Sequence, residues 1–103
     1  MKKFTQFKKT INGTEYTAQF NGMSSRYKAI DEAGKFYGDN QGVSMFKMAD
    51  YLLKNVLVSP KKDIDDFEDT KELDEVISFL SAVNNGTFRE ADDGEAKEGT
   101  GKK

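Results

Sequence analysis

The dipeptide Asn12-Gly13, set between two alternating segments, constrains this chain more than any other feature. A two-residue type I′ hairpin turn needs φ > 0 at both central positions, and these two residues tolerate it. With that turn the register follows: Ile11 faces Thr14, Lys9 faces Tyr16, Phe7 faces Ala18 and Thr5 faces Phe20. Phe7, Ile11, Tyr16, Ala18 and Phe20 then share one face. Gln6, Lys8 and Thr10 oppose Gln19, Thr17 and Glu15 on the other. A one-residue slip would mix the two sets, so turn chemistry and side-chain pattern select the same pairing. Lys9 is the exception on the apolar face, where its stem can lie flat with the amine in water. Phe4 falls on the polar face and is expected to pack elsewhere. A two-stranded ribbon is marginal alone, so helices must cover its apolar face.

Asn21-Gly22 ends the second strand, and Ser24 or Ser25 is placed to cap a short helix. Tyr27, Ile30 and Ala33 follow at near-helical spacing, and Gly34 is the expected stop. Residues 35–43 contain Gly and Asn and are expected to form a loop, with Phe36-Tyr37 as a further apolar pair. Ser44 opens the strongest helix. Met45, Met48, Ala49, Leu52, Leu53 and Val56 form one stripe at helical spacing, and Ser59-Pro60 ends it, with the last residues free to leave the helix earlier. Residues 61–69 make a charged connector with apolar anchors Ile64 and Phe67. Asp69 and Glu72 have capping-box spacing, with Asp in place of the usual Ser or Thr. The last helix carries Leu73, Val76, Ile77, Leu80 and Val83 on one stripe, with Phe79 beside it and Asn85-Gly86 as its stop. The expected fold is an α+β domain over residues 1–86: an N-terminal β-hairpin followed by about three α-helices. Residues 87–103, acidic and with Phe88 as their one large apolar side chain, are expected to be a disordered tail or linker.

Composition removes whole classes of chemistry. Cys and His both number 0 among the 103 residues, so disulfides, thiolate nucleophiles, imidazole bases and most zinc sites are excluded. No apolar run approaches the roughly 20 residues of a membrane span, and the opening residues lack the apolar stretch of a signal peptide. A cytoplasmic domain with no membrane association is expected. Residues 1–62 hold 11 basic and 5 acidic side chains and residues 63–103 hold 5 and 13, so charges of about +6 and about −8 oppose each other. Such a chain is able to self-associate head to tail; plain solvation of both ends is the simpler reading.

The acidic run Asp63, Asp65, Asp66, Glu68 and Asp69 invites a calcium loop, but Phe67, Glu68 and Asp74 fall where an oxygen ligand, a glycine and a glutamate belong. A solvated connector favouring the next helix N-terminus accounts for it better. No nucleophile elbow or phosphate loop occurs. No catalytic, metal or cofactor residue is therefore assigned, and no enzyme is expected. Lys2, Lys3, Lys8 and Lys9 lie near Phe4 and Phe7, yet no concentrated basic stripe forms, so nucleic acid is not the expected partner. Phe46, Tyr51, Leu57 and Phe79 lie off the helical stripes, as do Phe36 and Tyr37. Either a second layer covers them or they form a protein-binding face. The four named first are the candidate protein-binding residues.

Residues 51–60 (YLLKNVLVSP), 65–69 (DDFED) and 73–80 (LDEVISFL), behind a ribbon from Phe4 to Phe20, resemble the tail assembly chaperones of long-tailed bacteriophages and prophages of Gram-positive bacteria. The resemblance spans residues 1–86 and lies in element order and texture. It implies a non-enzymatic protein that binds the tape measure protein and keeps it soluble while tail tube subunits assemble, with the major tail protein as a further partner. It also implies a flexible linker at residues 91–103 before a second domain added by ribosomal frameshifting, and Gly101-Lys102-Lys103 is compatible with a slippery coding run. The family supplies no residue-level binding motif. The alternative is a small intracellular adaptor or regulatory protein, contacting nucleic acid through its basic half.

Overall fold

The computed structural model describes residues 1–35 and 44–88. Strands β1 (Gln6–Ile11) and β2 (Thr14–Gln19) form the expected hairpin, paired residue for residue from Gln6 with Gln19 to Ile11 with Thr14. Asn12 and Gly13 both have positive φ, at 52° and 81°, as the type I′ turn demands. Helix α1 is Met23–Lys35, α2 is Met45–Asn55 and α3 is Thr70–Asn84. The α+β class is as expected.

A third strand, β3 (Leu57–Ser59), was not anticipated as a partner of the hairpin. It pairs antiparallel with β2, Leu57 against Ala18 and Ser59 against Thr17, so the sheet order is β1-β2-β3 and β2 is central. Helix α2 therefore ends at Asn55, before the Ser59-Pro60 stop. Lys61 folds back over that end, donating to the carbonyls of Leu53, Lys54 and Leu57 at 3.3, 3.2 and 2.7 Å. A lysine there satisfies carbonyls left free by the helix and meets the negative end of its dipole.

The caps of α2 and α3 follow the sequence. Ser44 Oγ accepts from Lys47 N at 3.1 Å, and Asp69 Oδ2 accepts from Glu72 N at 3.1 Å. At the far end of α3, Gly86 takes φ 75°, Gly86 N donates to Val83 O and Thr87 N donates to Ala82 O. This paired geometry is the Schellman stop that a glycine permits. The core lies between the sheet and the helices: Ile11, Tyr16, Ala18 and Phe20 from the hairpin meet Leu52, Leu53 and Val56 from α2 and Val76, Leu80 and Val83 from α3. Ile64 and Phe67 anchor the connector against it.

Three expectations about boundaries and faces change. Helix α1 starts at Met23, ahead of either serine, and runs through Gly34, because its buried face is Ser25, Ala29 and Ala33 rather than Tyr27 and Ile30. Small residues at that spacing let α1 lie close on its neighbours. Met45, the first member of the α2 stripe, is exposed because the core begins only a turn later. Phe88 is buried, with its ring 5.3 Å from Phe7 and 5.0 Å from Phe79, so the packed unit extends past residue 86. The expected loop, with Phe36 and Tyr37, and the tail from residue 89 on lie outside the described residues.

Candidate protein-docking surface

Placement of the four candidate residues divides them. Leu57 and Phe79 are each 2% exposed and belong to the core. Their expected role on a docking face is corrected: Leu57 became an inward residue of β3, and Phe79 meets Phe88, so a second layer covers both. Tyr51 is half-buried against the core, and Phe46 is exposed.

The apolar side chains that do face solvent lie mostly on α1 and the first turn of α2. Met23, Tyr27 and Ile30, at i, i+4 and i+7, share one face of α1 with exposures of 59%, 61% and 44%. Met45 and Phe46 are 83% and 59% exposed. Ser44 N donates to Ala33 O at 3.2 Å, which seats the start of α2 beside the last turn of α1. The two groups thus belong to one helical pair. Between these helices, Lys28, Asp31 and Glu32 of α1 and Tyr51 and Asn55 of α2 line an open cleft of about 330 Å³. Tyr51 is therefore a wall of that cleft. Tyr27, Ile30 and Met45 were missed because apolar spacing in a helix marks the core by default, and Met23 because the helix was expected to begin at the serines that follow it. The available signal was the second stripe of α1, Ser25, Ala29 and Ala33, made of residues small enough for close packing.

A buried polar group fixes α1 on this surface. Ser25 Oγ donates to Asn84 Oδ1 at 2.6 Å, and Asn84 Nδ2 donates to the Ser25 carbonyl at 3.3 Å. The Tyr51 hydroxyl lies 3.2 Å from Ser25 Oγ. Since the serine proton goes to Asn84, the tyrosine donates. One residue from each helix thus joins a single network.

A second polar group sits at the opposite end of α3. The Tyr16 hydroxyl donates to Glu72, Asn12 Nδ2 donates to Glu72 Oε1 at 2.9 Å, and Lys62 Nζ lies 3.3 Å from the Tyr16 hydroxyl and 3.9 Å from Glu72 Oε2. The hydrogen bonds from Asn12 and Tyr16, with the Lys62 charge, hold the Glu72 carboxyl below its usual range. Burial and the neighbouring carboxylate push the Tyr16 hydroxyl above its usual value. Every member is engaged by another, so the arrangement ties the hairpin, the connector and α3 together.

Among the described residues, no group of three His, Cys, Asp or Glu side chains is gathered to hold a metal ion. The acidic connector instead serves local caps, Asp66 Oδ2 accepting from Asp63 N at 2.9 Å. No helix among the described residues is long and apolar enough to cross a membrane. No family model, curated protein or solved structure matches the chain.

Proposed function

We propose that this chain is a non-enzymatic assembly chaperone that holds an apolar helical segment of a client protein. The client of best fit is a phage tape measure protein, kept soluble while tail tube subunits of the major tail protein assemble around it. The observation that carries this reading is the set Met23, Tyr27, Ile30, Met45 and Phe46, exposed together on one helical pair. Fully burying a side chain of this kind contributes about 1.5–3 kcal/mol, so leaving several in water is costly unless something covers them. A client helix presenting its own apolar face would lie along α1 in helix-in-groove fashion. Much of that gain is lost to ordering and lost freedom of the two bodies. Reversible, micromolar holding, about −8 kcal/mol, is the expected regime, and it suits a client that must be released. The resemblance of the chain to tail assembly chaperones supports the same reading.

The test is co-expression with the tape measure protein of the same genome, followed by solubility and pull-down measurements. The proposal expects a soluble, co-purifying client with the unaltered chain. It expects an insoluble client with the folded double variant Tyr27→Asp/Phe46→Asp. An insoluble, unbound client beside a well-folded unaltered chain would reject the reading.

A further inference from the structure

We propose that the outer edge of β1 accepts an extended acidic strand from a partner protein. Among the described residues, β1 is a terminal strand of the sheet. In an antiparallel ladder the residues that bond across the pair alternate with residues whose backbone groups point away. Phe20 N donates to Thr5 O at 2.8 Å, which sets the parity. Phe7, Lys9 and Ile11 turn their backbone groups toward β2, and Gln6, Lys8 and Thr10 turn theirs to the outer edge. The other side of β2 obeys the same parity, since Gln19, opposite Gln6, donates toward Val56 O at 2.9 Å. The opposite edge of the sheet, β3, has 3 residues and runs into Pro60, which cannot donate. With 6 residues, β1 offers the longer template, about 20 Å of backbone.

Charge selects the occupant. β1 holds Lys8 and Lys9 and no acidic residue, and Lys2 and Lys3 precede it. Glu15 lies at the turn end of the same face, opposite Thr10. Lysines on an edge discourage pairing with a second copy of that edge, because like charges would stand opposite each other. By the same electrostatics they favour a strand of opposite charge. The two faces of the strand add a pattern. Gln6, Lys8 and Thr10 are exposed, whereas Phe7 is half-buried beside Phe88. An accepted strand therefore alternates, with carboxylates on the Lys8 side and apolar residues on the Phe7 side. At the start of β1 an open hollow of about 600 Å³, lined in part by Lys2, Gln6, Phe7 and Phe88, gives space for an apolar anchor beside the Lys2 cation. None of these residues belongs to the α1–α2 surface, so this site stands independently of the proposed client.

The experiment titrates the full chain with two soluble peptides of about ten residues, one alternating Val and Glu, the other Val and Lys. Binding and backbone amide exchange are followed by NMR. The expected result is binding of the Glu peptide with about tenfold or greater slowing of exchange at Gln6, Lys8 and Thr10 amides, weakening as salt rises from about 50 to about 300 mM. Lys8→Glu, with unchanged circular dichroism, should reverse the preference toward the Lys peptide. Equal binding of both peptides, no binding, or protection confined to other amides would overturn the proposal. So would binding seen only after removal of residues 89–103, because the edge would then serve the chain's own acidic segment.

Discussion

The Tyr16 hydroxyl donates to the Glu72 carboxylate, joining the central strand of the sheet to the first turn of α3 across 56 positions of sequence. Asn12 of the hairpin turn and Lys62 of the connector converge on the same carboxylate. Glu72 was expected to reach back to the Asp69 backbone in a reciprocal capping box. Asp69 keeps its half, and Glu72 spends its oxygens on the hairpin.

That choice makes stability depend on pH at both ends. The Glu72 pKa is lowered on folding, first by Asn12 and then by Tyr16. Its contribution is present above the unfolded value of about 4.5 and fades as pH falls through the lower folded value. The Tyr16 pKa is raised, so its contribution is complete below 10.0 and fades as pH rises toward the folded value. Urea midpoints should thus form a plateau between these limits. Glu72→Gln should flatten the acid limb. An unchanged acid limb in that variant would mean that other carboxylates set it.

Burial separates three of the sequence candidates, Leu57, Phe79 and Phe46, by stability, with Tyr27 as a further exposed residue for comparison. Leu57→Ala should cost about 2–5 kcal/mol and Phe79→Ala about 3–5 kcal/mol, as for other large residues truncated in a packed core. Phe46→Ala and Tyr27→Ala should stay within about 0.5 kcal/mol of the parent. Chemical denaturation of the four single variants checks this. A loss of several kcal/mol at Tyr27 would place α1 differently from the surface described.

Local rules made much of this fold legible. Asn12-Gly13 and the period-2 pattern specified the hairpin register; Ser44 and Asp69 marked helix starts through side-chain oxygens that accept backbone N–H groups, and Gly86 marked a helix end through its positive φ. Strand β3 was hidden because Val56 completes the α2 stripe and Leu57-Val58 reads as its continuation. Only the distant edge of β2 turns those residues into a strand. The same kind of contact moved Leu57 and Phe79 out of the candidate site. Phe46 kept its place because its helical position alone decides its direction. Helix α1 was read with its faces exchanged, since Ser25, Ala29 and Ala33 give a weak hydrophobic signal although they carry the packing.

The network holding α1 should respond locally. Ser25→Ala leaves buried Asn84 Oδ1 without its donor, a loss of about 1–3 kcal/mol for an unsatisfied buried acceptor. The residue remains a good helix former, so the helix itself is not weakened. Hydrogen exchange should accelerate first along α1, ahead of α3 and the sheet, because Ala29 and Ala33 bury little surface to hold it. Uniform acceleration in all elements would instead make α1 part of one cooperative unit with the core.

Phe88 belongs to the packed unit, beyond the end of α3. Its ring meets Phe7 and Phe79 edge to face, and Phe88 N also donates to Ala82 O at 3.1 Å, so the residue is joined to β1 and α3 at once. Truncation after Gly86 removes this ring, together with the Thr87 N–H that completes the helix stop. Losing an aromatic side chain from such a site costs about 3–5 kcal/mol, a large fraction of the stability of a domain this size. Truncation after Phe88 keeps every one of these contacts. The shorter chain should melt well below the longer one, and Phe88→Ala in the full chain should reproduce most of the difference. Equal melting temperatures for the two truncations would show that the aromatic cluster closes without Phe88.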